Sequence, residues 1–184
     1  MEPQAAAGVV LFDLIAGVDA RLRALPTRLP RQAPPVERWV GILFRVGARR
    51  LLASLEQITE VLTVPDELTP LPGTASWVLG VANNRGTLLP IFDLAALTAG
   101  GAPTRRDADR VLVVRQEGLP CGLVASEVIG IRRFAVTERV AESPAELGVL
   151  WPFAEAAFPL ADTLVPVIAL ERLLGAPLMS LGSA

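Results

Sequence analysis

The sequence predicts a mainly β protein: two small five-stranded barrels packed together, with short helices and one further helix ahead of them. Three observations point there. From Trp39 onward, short apolar segments alternate with tight turn signals. The pattern occurs twice. And 52% of the residues are hydrophobic against 20% charged, enough to bury a core in a chain of 184 residues.

The duplication is visible in the residues. Thr87-Leu-Leu-Pro-Ile-Phe-Asp-Leu-Ala-Ala-Leu97 aligns with Thr163-Leu-Val-Pro-Val-Ile-Ala-Leu-Glu-Arg-Leu173 at a spacing of 76, with five of eleven positions identical. Upstream, Leu51, Ala53 and Ser54 fall on Leu123, Ala125 and Ser126 at a spacing of 72. Each half runs hairpin, strand, loop, hairpin, short helix. A half is small for a stable core, so two halves are expected to pack on a shared apolar interface. Closing each sheet would remove its exposed edges. Pro90 and Pro166 hold the same place in the two halves and cannot donate to a ladder. They are expected at edges, bulges or bends.

The elements follow in order. Leu11, Ile15, Val18, Leu22 and Leu25 step by three and four and form one helical face. Pro26 stops this helix, and residues 27–36 carry three prolines and read as a linker. The stripe is expected to dock on the chain's own body, with a partner-binding helix as the alternative. Val40–Val46 and Arg50–Leu55 flank the turn Gly47-Ala48-Arg49. Gln57–Leu62 reads as a helical turn or a strand. Pro65, Pro70, Pro72 and Gly73 mark a loop. Trp77–Asn83 and Thr87–Phe92 surround Arg85-Gly86, and Asp93 is placed to cap a helix over 94–99. After a polar loop, Arg110–Arg115 and Leu119–Ser126 surround Gln116-Glu117-Gly118. Val128–Phe134 follows. Ser143-Pro144 opens a loop, Phe153–Leu160 and Thr163–Ile168 bracket Ala161-Asp162, and a helix over 169–174 ends at Gly175. The expected organisation is therefore residues 1–36 as helix and linker, 37–178 as a double-barrel domain with subdomains at roughly 38–100 and 108–175, and 179–184 as a tail.

The inventory for chemistry is thin. There is no His, no Tyr and no Lys, and all seventeen cations are Arg. His-dependent acid–base and triad chemistry is excluded, as are the usual zinc sites and a Walker lysine. No cofactor and no metal is expected. Cys121 stands alone in an apolar run and reads as a structural thiol. The seven Asp and twelve Glu are scattered, so a carboxylate-only enzyme is a remote reading. A formal charge of −2 gives no drive towards nucleic acid. Residues 5–18 are mostly apolar, but Asp13 interrupts them and Met-Glu-Pro-Gln is not a basic leader, so no membrane insertion is expected and the chain reads as cytoplasmic.

The stretch Trp77-Val-Leu-Gly-Val-Ala-Asn-Asn-Arg-Gly-Thr-Leu-Leu-Pro-Ile-Phe-Asp-Leu94 resembles the signature of the CheW-like coupling proteins, roughly G-V-x-N-x-R-G-x-x-x-P-x-x-D-L. Gly80, Val81, Asn83, Arg85, Gly86, Pro90, Asp93 and Leu94 match it. Phe44-Arg-Val-Gly, Ile58-Thr-Glu-Val61, Leu71-Pro-Gly73, Val111-Leu-Val-Val114 and Leu123-Val-Ala-Ser-Glu-Val128 fall in family order, so the resemblance covers about residues 38–175. Asn84 departs from the family, where an apolar residue is usual. Leu11-Phe-Asp-Leu-Ile, Leu22-Arg-Ala-Leu25 and Trp39-Val-Gly-Ile-Leu-Phe-Arg-Val make the chain most similar to PilI-type adaptors of the systems that control type IV pilus twitching.

The resemblance implies two SH3-like five-stranded barrels and a non-enzymatic adaptor. Its partners would be a CheA-type histidine kinase and the cytoplasmic tip of a methyl-accepting chemoreceptor, in membrane receptor arrays. It places Ile58, Glu60, Val61, Asn83, Arg85 and Gly86 at the protein-binding site. Ile58 and Val61 would line an apolar groove or sit in the core, Glu60 and Arg85 would pair beside the groove, and Gly86 would permit the turn. Asp93 reads better as a cap, and Arg132-Arg133 as solvated surface. The alternatives are a double barrel that binds a small molecule, a general flagellar coupling protein, and a fragment of a larger kinase or receiver-fused coupler. The helix ahead of the barrels and the terminus soon after Gly175 read as a complete stand-alone chain.

Overall fold

The computed structural model describes residues 37–99, 106–141 and 145–176. The expected N-terminal helix and linker and the tail lie outside them. Ten strands appear in chain order: β1 (Arg38–Val46), β2 (Arg49–Ser54), β3 (Ile58–Thr63), β4 (Val78–Asn84), β5 (Thr87–Asp93), β6 (Arg110–Gln116), β7 (Leu119–Ala125), β8 (Glu127–Ala135), β9 (Ala154–Leu160) and β10 (Thr163–Ile168). Helix α1 (Leu94–Ala99) follows β5, and α2 (Leu170–Leu174) follows β10. The expected class stands: two five-stranded sheets and few helices, consistent with paired SH3-like barrels.

The turns explain the strand boundaries. All four hairpins close through two-residue loops: Gly47-Ala48, Arg85-Gly86, Glu117-Gly118 and Ala161-Asp162. Arg85, Glu117 and Ala161 take φ of 54°, 50° and 53°, and Gly86 and Gly118 follow at 84° and 85°. Two successive positive φ values give the turn whose twist matches that of the flanking strands. Between β2 and β3, Leu55–Gln57 form one 3-10 turn, so both readings of that segment hold in part. The segment read as a loop after Ser143-Pro144 holds a 3-10 run over Ala145–Phe153. Asp93 is 6% exposed, and its Oδ1 accepts from the backbone of Ala95 and Ala96 at 2.8 and 3.0 Å, the expected cap.

The division at roughly residues 100–108 is not the division between the sheets. One sheet has the order β8-β1-β2-β10-β9 and the other β3-β6-β7-β5-β4. Each repeat therefore gives its first hairpin to the sheet built by the other. The two orders match strand for strand across the repeat, including the parallel pairs β2–β10 and β5–β7. The cause is burial. β1, β2, β6 and β7 carry apolar residues on both faces and need cover on both. Leu43 and Leu52 face the interior of one sheet with Phe134, Phe158 and Val167. Val111, Val113 and Val124 face the interior of the other with Leu89 and Ile91. Their alternate neighbours Phe44, Leu51, Leu112, Val114 and Leu123 join one central cluster between the sheets. The exchange places every two-faced hairpin between an interior and this shared core.

The prolines lie in strands with neighbours on both sides, and each sits beside a register shift of its hairpin, at Val78/Gly80 opposite Ile91 and Phe92 and at Val167/Ile168, so the bulge among the expected places is the one found in both halves. Val81 spends both its backbone groups on Thr69, at 2.9 Å each, so its cross-strand partner Pro90 sits at a position of the β4 ladder that needs no N–H. The β5–β7 ladder begins at the next residue, Ile91. Ala157 bonds Val140 in the same way, at 2.9 and 2.8 Å, and frees Pro166 opposite it. The bonds from Thr69 and Val140 also cover part of the outer edges of β4 and β9.

Gly80 lets Thr69 approach. Its φ is 132°, and a Cβ there would lie 2.3 Å from the Thr69 carbonyl oxygen. Replacing Gly80 with Ala should lower stability by about 2 kcal/mol or more, read as a fall in the urea midpoint. Cys121 packs half-buried against the central cluster, and that burial pushes its thiol above the ordinary value. A raised value means less thiolate at pH 8 than a free cysteine carries. Cys121 should therefore react with a disulfide reagent more slowly than free cysteine at that pH, and match it only once the chain is unfolded in denaturant.

Candidate protein-interaction site

Four of the residues singled out in the sequence, Glu60, Asn83, Arg85 and Gly86, meet at one end of the second sheet. β3 supplies Glu60, and the β4–β5 hairpin supplies Asn83, Asn84, Arg85 and Gly86. The hairpin tip is set locally. Asn83 Oδ1 accepts from the Gly86 backbone N–H at 2.8 Å, which holds the turn. Arg85 Nη2 then lies 2.9 Å from Glu60 Oε1. The Arg85 side chain is 80% exposed and that of Glu60 30%. The guanidinium is thus anchored by one corner while most of its donors face solvent. As an ion pair in solvent this contact is worth under about 1 kcal/mol. Its value lies in presenting an oriented arginine.

Around the pair runs an open groove of about 410 Å³, lined by Thr59, Glu60, Asn84, Arg85, Leu89 and Arg115 among others. The tip of the β6–β7 hairpin forms its far wall with Gly118 and Pro120. Thr59 is pinned there by its hydroxyl, which donates to the Val113 carbonyl at 3.1 Å. Leu88 and Leu119, next to the two hairpin turns, are 73% and 70% exposed. This end of the sheet therefore offers an arginine fork and a half-buried carboxylate at the groove, with two bare leucines on the other face of their strands. Such a mixture suits another protein's surface.

Of the two readings of Ile58, groove or core, the structure has the core, and it separates Ile58 from Val61. Ile58 lines no groove: it is 9% exposed and belongs to the central cluster, because it opens β3 just after the 3-10 turn, where the strand faces the other sheet. Val61 is 40% exposed, so the two residues do not form one apolar surface. Val61 follows Glu60 directly in β3, and successive strand residues point to opposite faces, so the ion pair and Val61 are also on different faces. Asn84, Thr59, Arg115, Leu88 and Leu119 were not picked out as site residues. They lie on five strands and share no spacing. Only the polar residue at position 84, where the resembling family has an apolar one, was a visible signal. Arg132 and Arg133 lie on β8, in the other sheet. Among the described residues no three His, Cys, Asp or Glu side chains are placed to hold a metal ion, and no helix is long and apolar enough to cross a membrane.

Known proteins resemble this chain in sequence and in fold. The family model described as a CheW-like domain matches residues 40–178. The chain is 40% identical to Protein PilI of Pseudomonas aeruginosa over 147 residues, 80% of this chain and 82% of that one. It is 36% identical to Protein FrzA of Myxococcus xanthus over 110 residues, 60% of this chain and 67% of that one. The crystal structure of scaffolding protein TtCheW from Thermoanaerobacter tengcongensis superimposes with a TM-score of 0.67 at 19% identity, covering 80% of this chain and 93% of that chain. With the signature residues gathered on one hairpin of a doubled five-stranded fold, and the family match spanning both sheets, the chain belongs to the CheW-like domain family.

Proposed function

We propose that this protein is a non-enzymatic adaptor that couples a chemoreceptor's cytoplasmic tip to a CheA-type histidine kinase within membrane receptor arrays. Its likeness to PilI supports service in a system that controls type IV pilus twitching. The observation that carries the reading is the Arg85–Glu60 pair: an arginine anchored at 2.9 Å yet 80% exposed, on the hairpin that holds the family signature. An arginine held in this way can bind a partner carboxylate bidentately without first being ordered, which lowers the entropic cost of docking. Asn83 and Gly86 serve this surface by fixing the turn. Val61 adds an apolar contact on the opposite face of β3, and Ile58 acts from within, as core beneath β3. The two sheets would offer separate surfaces, one to the kinase and one to the receptor, held in fixed relation by their shared core.

The test is a pull-down from native lysate with retained proteins identified by mass spectrometry. Wild type should hold a CheA-type kinase and a chemoreceptor. Arg85→Glu, with an unchanged circular dichroism spectrum, should lose the receptor, since a bound carboxylate would then face another carboxylate. Absence of both partners under conditions that preserve the fold would overturn the adaptor reading.

A further inference from the structure

β3 and β4 are the two outer strands of their sheet, with β6, β7 and β5 between them. Glu60 lies on β3, Asn84 ends β4 and Arg85 follows it. The contacts among these three side chains therefore run from one edge of the sheet to the other. Arg85 Nη2 meets one carboxylate oxygen of Glu60 at 2.9 Å, and Asn84 Nδ2 donates to the other at 3.5 Å. Together they form a polar clasp across the mouth of the barrel.

The duplicated fold supplies its own control. β8 and β9 are the corresponding edges of the other sheet. Among the described residues no side-chain hydrogen bond or ion pair joins them. They meet through stacked rings, Phe134 on Phe158 with centroids 4.6 Å apart, and Trp39 of β1 stacks on the same Phe158 at 4.8 Å. The Arg45–Glu127 pair, at 3.3 Å, joins the neighbouring strands β1 and β8 and spans no gap. Closing such a sheet thus does not require a charged clasp, and its presence in one barrel alone marks that mouth as a site.

We infer that Asn84 is the positioning residue of this site: it holds the Glu60 carboxylate in place while Arg85 turns its fork to a carboxylate of the partner. The inference rests on the adaptor reading for its partner, but the clasp itself is independent of it. Glu60 is the more buried member of the pair. If Arg85 leaves it, Glu60 needs another donor, because a partly buried carboxylate without one is destabilised. Asn84 already occupies the second oxygen. With an apolar residue at 84, engaging Arg85 would strip Glu60 of both donors.

A double-mutant cycle decides this. Urea midpoints would be measured for Asn84→Leu, Arg85→Ala and the pair, in wild type and in a Glu60→Ala background. Each single change should lower the midpoint slightly, and the pair should lower it by more than the sum, because only the pair leaves Glu60 with no donor. The excess should vanish in the Glu60→Ala background. In calorimetric titration with the purified receptor cytoplasmic fragment, Asn84→Leu should weaken binding by about threefold to tenfold, a coupling of ordinary size between touching residues. Asn84→Gln should restore it, and Glu60→Ala should remove the effect of residue 84. Additive midpoints would overturn the clasp. An excess in stability with no change in affinity, or an affinity loss that persists without Glu60, would overturn the positioning role. If wild type binds no receptor fragment, the adaptor reading fails, and the midpoint cycle alone still decides the clasp.

Discussion

The structure depends on the two-faced burial of four strands. β1 and β2 place Phe44 and Leu51 in the central cluster and Leu43 and Leu52 in the interior of their own sheet. β6 and β7 do the same with Leu112 and Leu123 on one side and Val111 and Val124 on the other. A hairpin apolar on both faces cannot sit at the surface of a small barrel. It needs the barrel's interior on one side and a second apolar body on the other. Exchange of hairpins between repeats meets both needs at once, and it ties the two sheets into one unit. Neither half can keep its own core without the other's hairpin.

That coupling roots the mouth of one barrel in the core shared by both sheets. The β4–β5 hairpin projects Arg85 at the mouth of one barrel, while its far end runs through Phe92 into the central cluster. A displacement at the tip is borne by a strand rooted in the core shared with the other sheet. Close-packed interiors pass strain on instead of absorbing it.

The same duplication shows where one barrel departs from its copy. Both barrels use the same strand order, the same two-residue turns and the same proline trick opposite Val81 and Ala157. They differ where their edges meet. One is filled by Trp39, Phe134 and Phe158; the other has no aromatic ring in its interior cluster and carries Glu60, Asn84 and Arg85 at its mouth. Rings close a barrel by excluding water. Charged and amide groups close it while keeping donors available to a partner.

Much of this was legible in the residues alone. Turn chemistry at Arg85-Gly86 and Glu117-Gly118, the Asp93 cap, the repeat at Thr87 and Thr163, and the missing His and Lys are local or compositional properties, and local properties are written in sequence. The Glu60–Arg85 pair was reached through the resemblance of both segments to a family, and the structure sets the two side chains 2.9 Å apart. What the sequence could not decide was partnership. Backbone hydrogen bonds are identical from strand to strand, so two hairpins of similar length and apolarity are interchangeable on paper, and only packing both of their faces selects the exchanged arrangement. For the same reason the two readings of Ile58, groove or core, were decided for the core, Pro90 and Pro166 took the bulge among their possible places, and Asn84 acquired a partner 24 residues away: each depends on which strands become neighbours, and that is settled by burial in three dimensions.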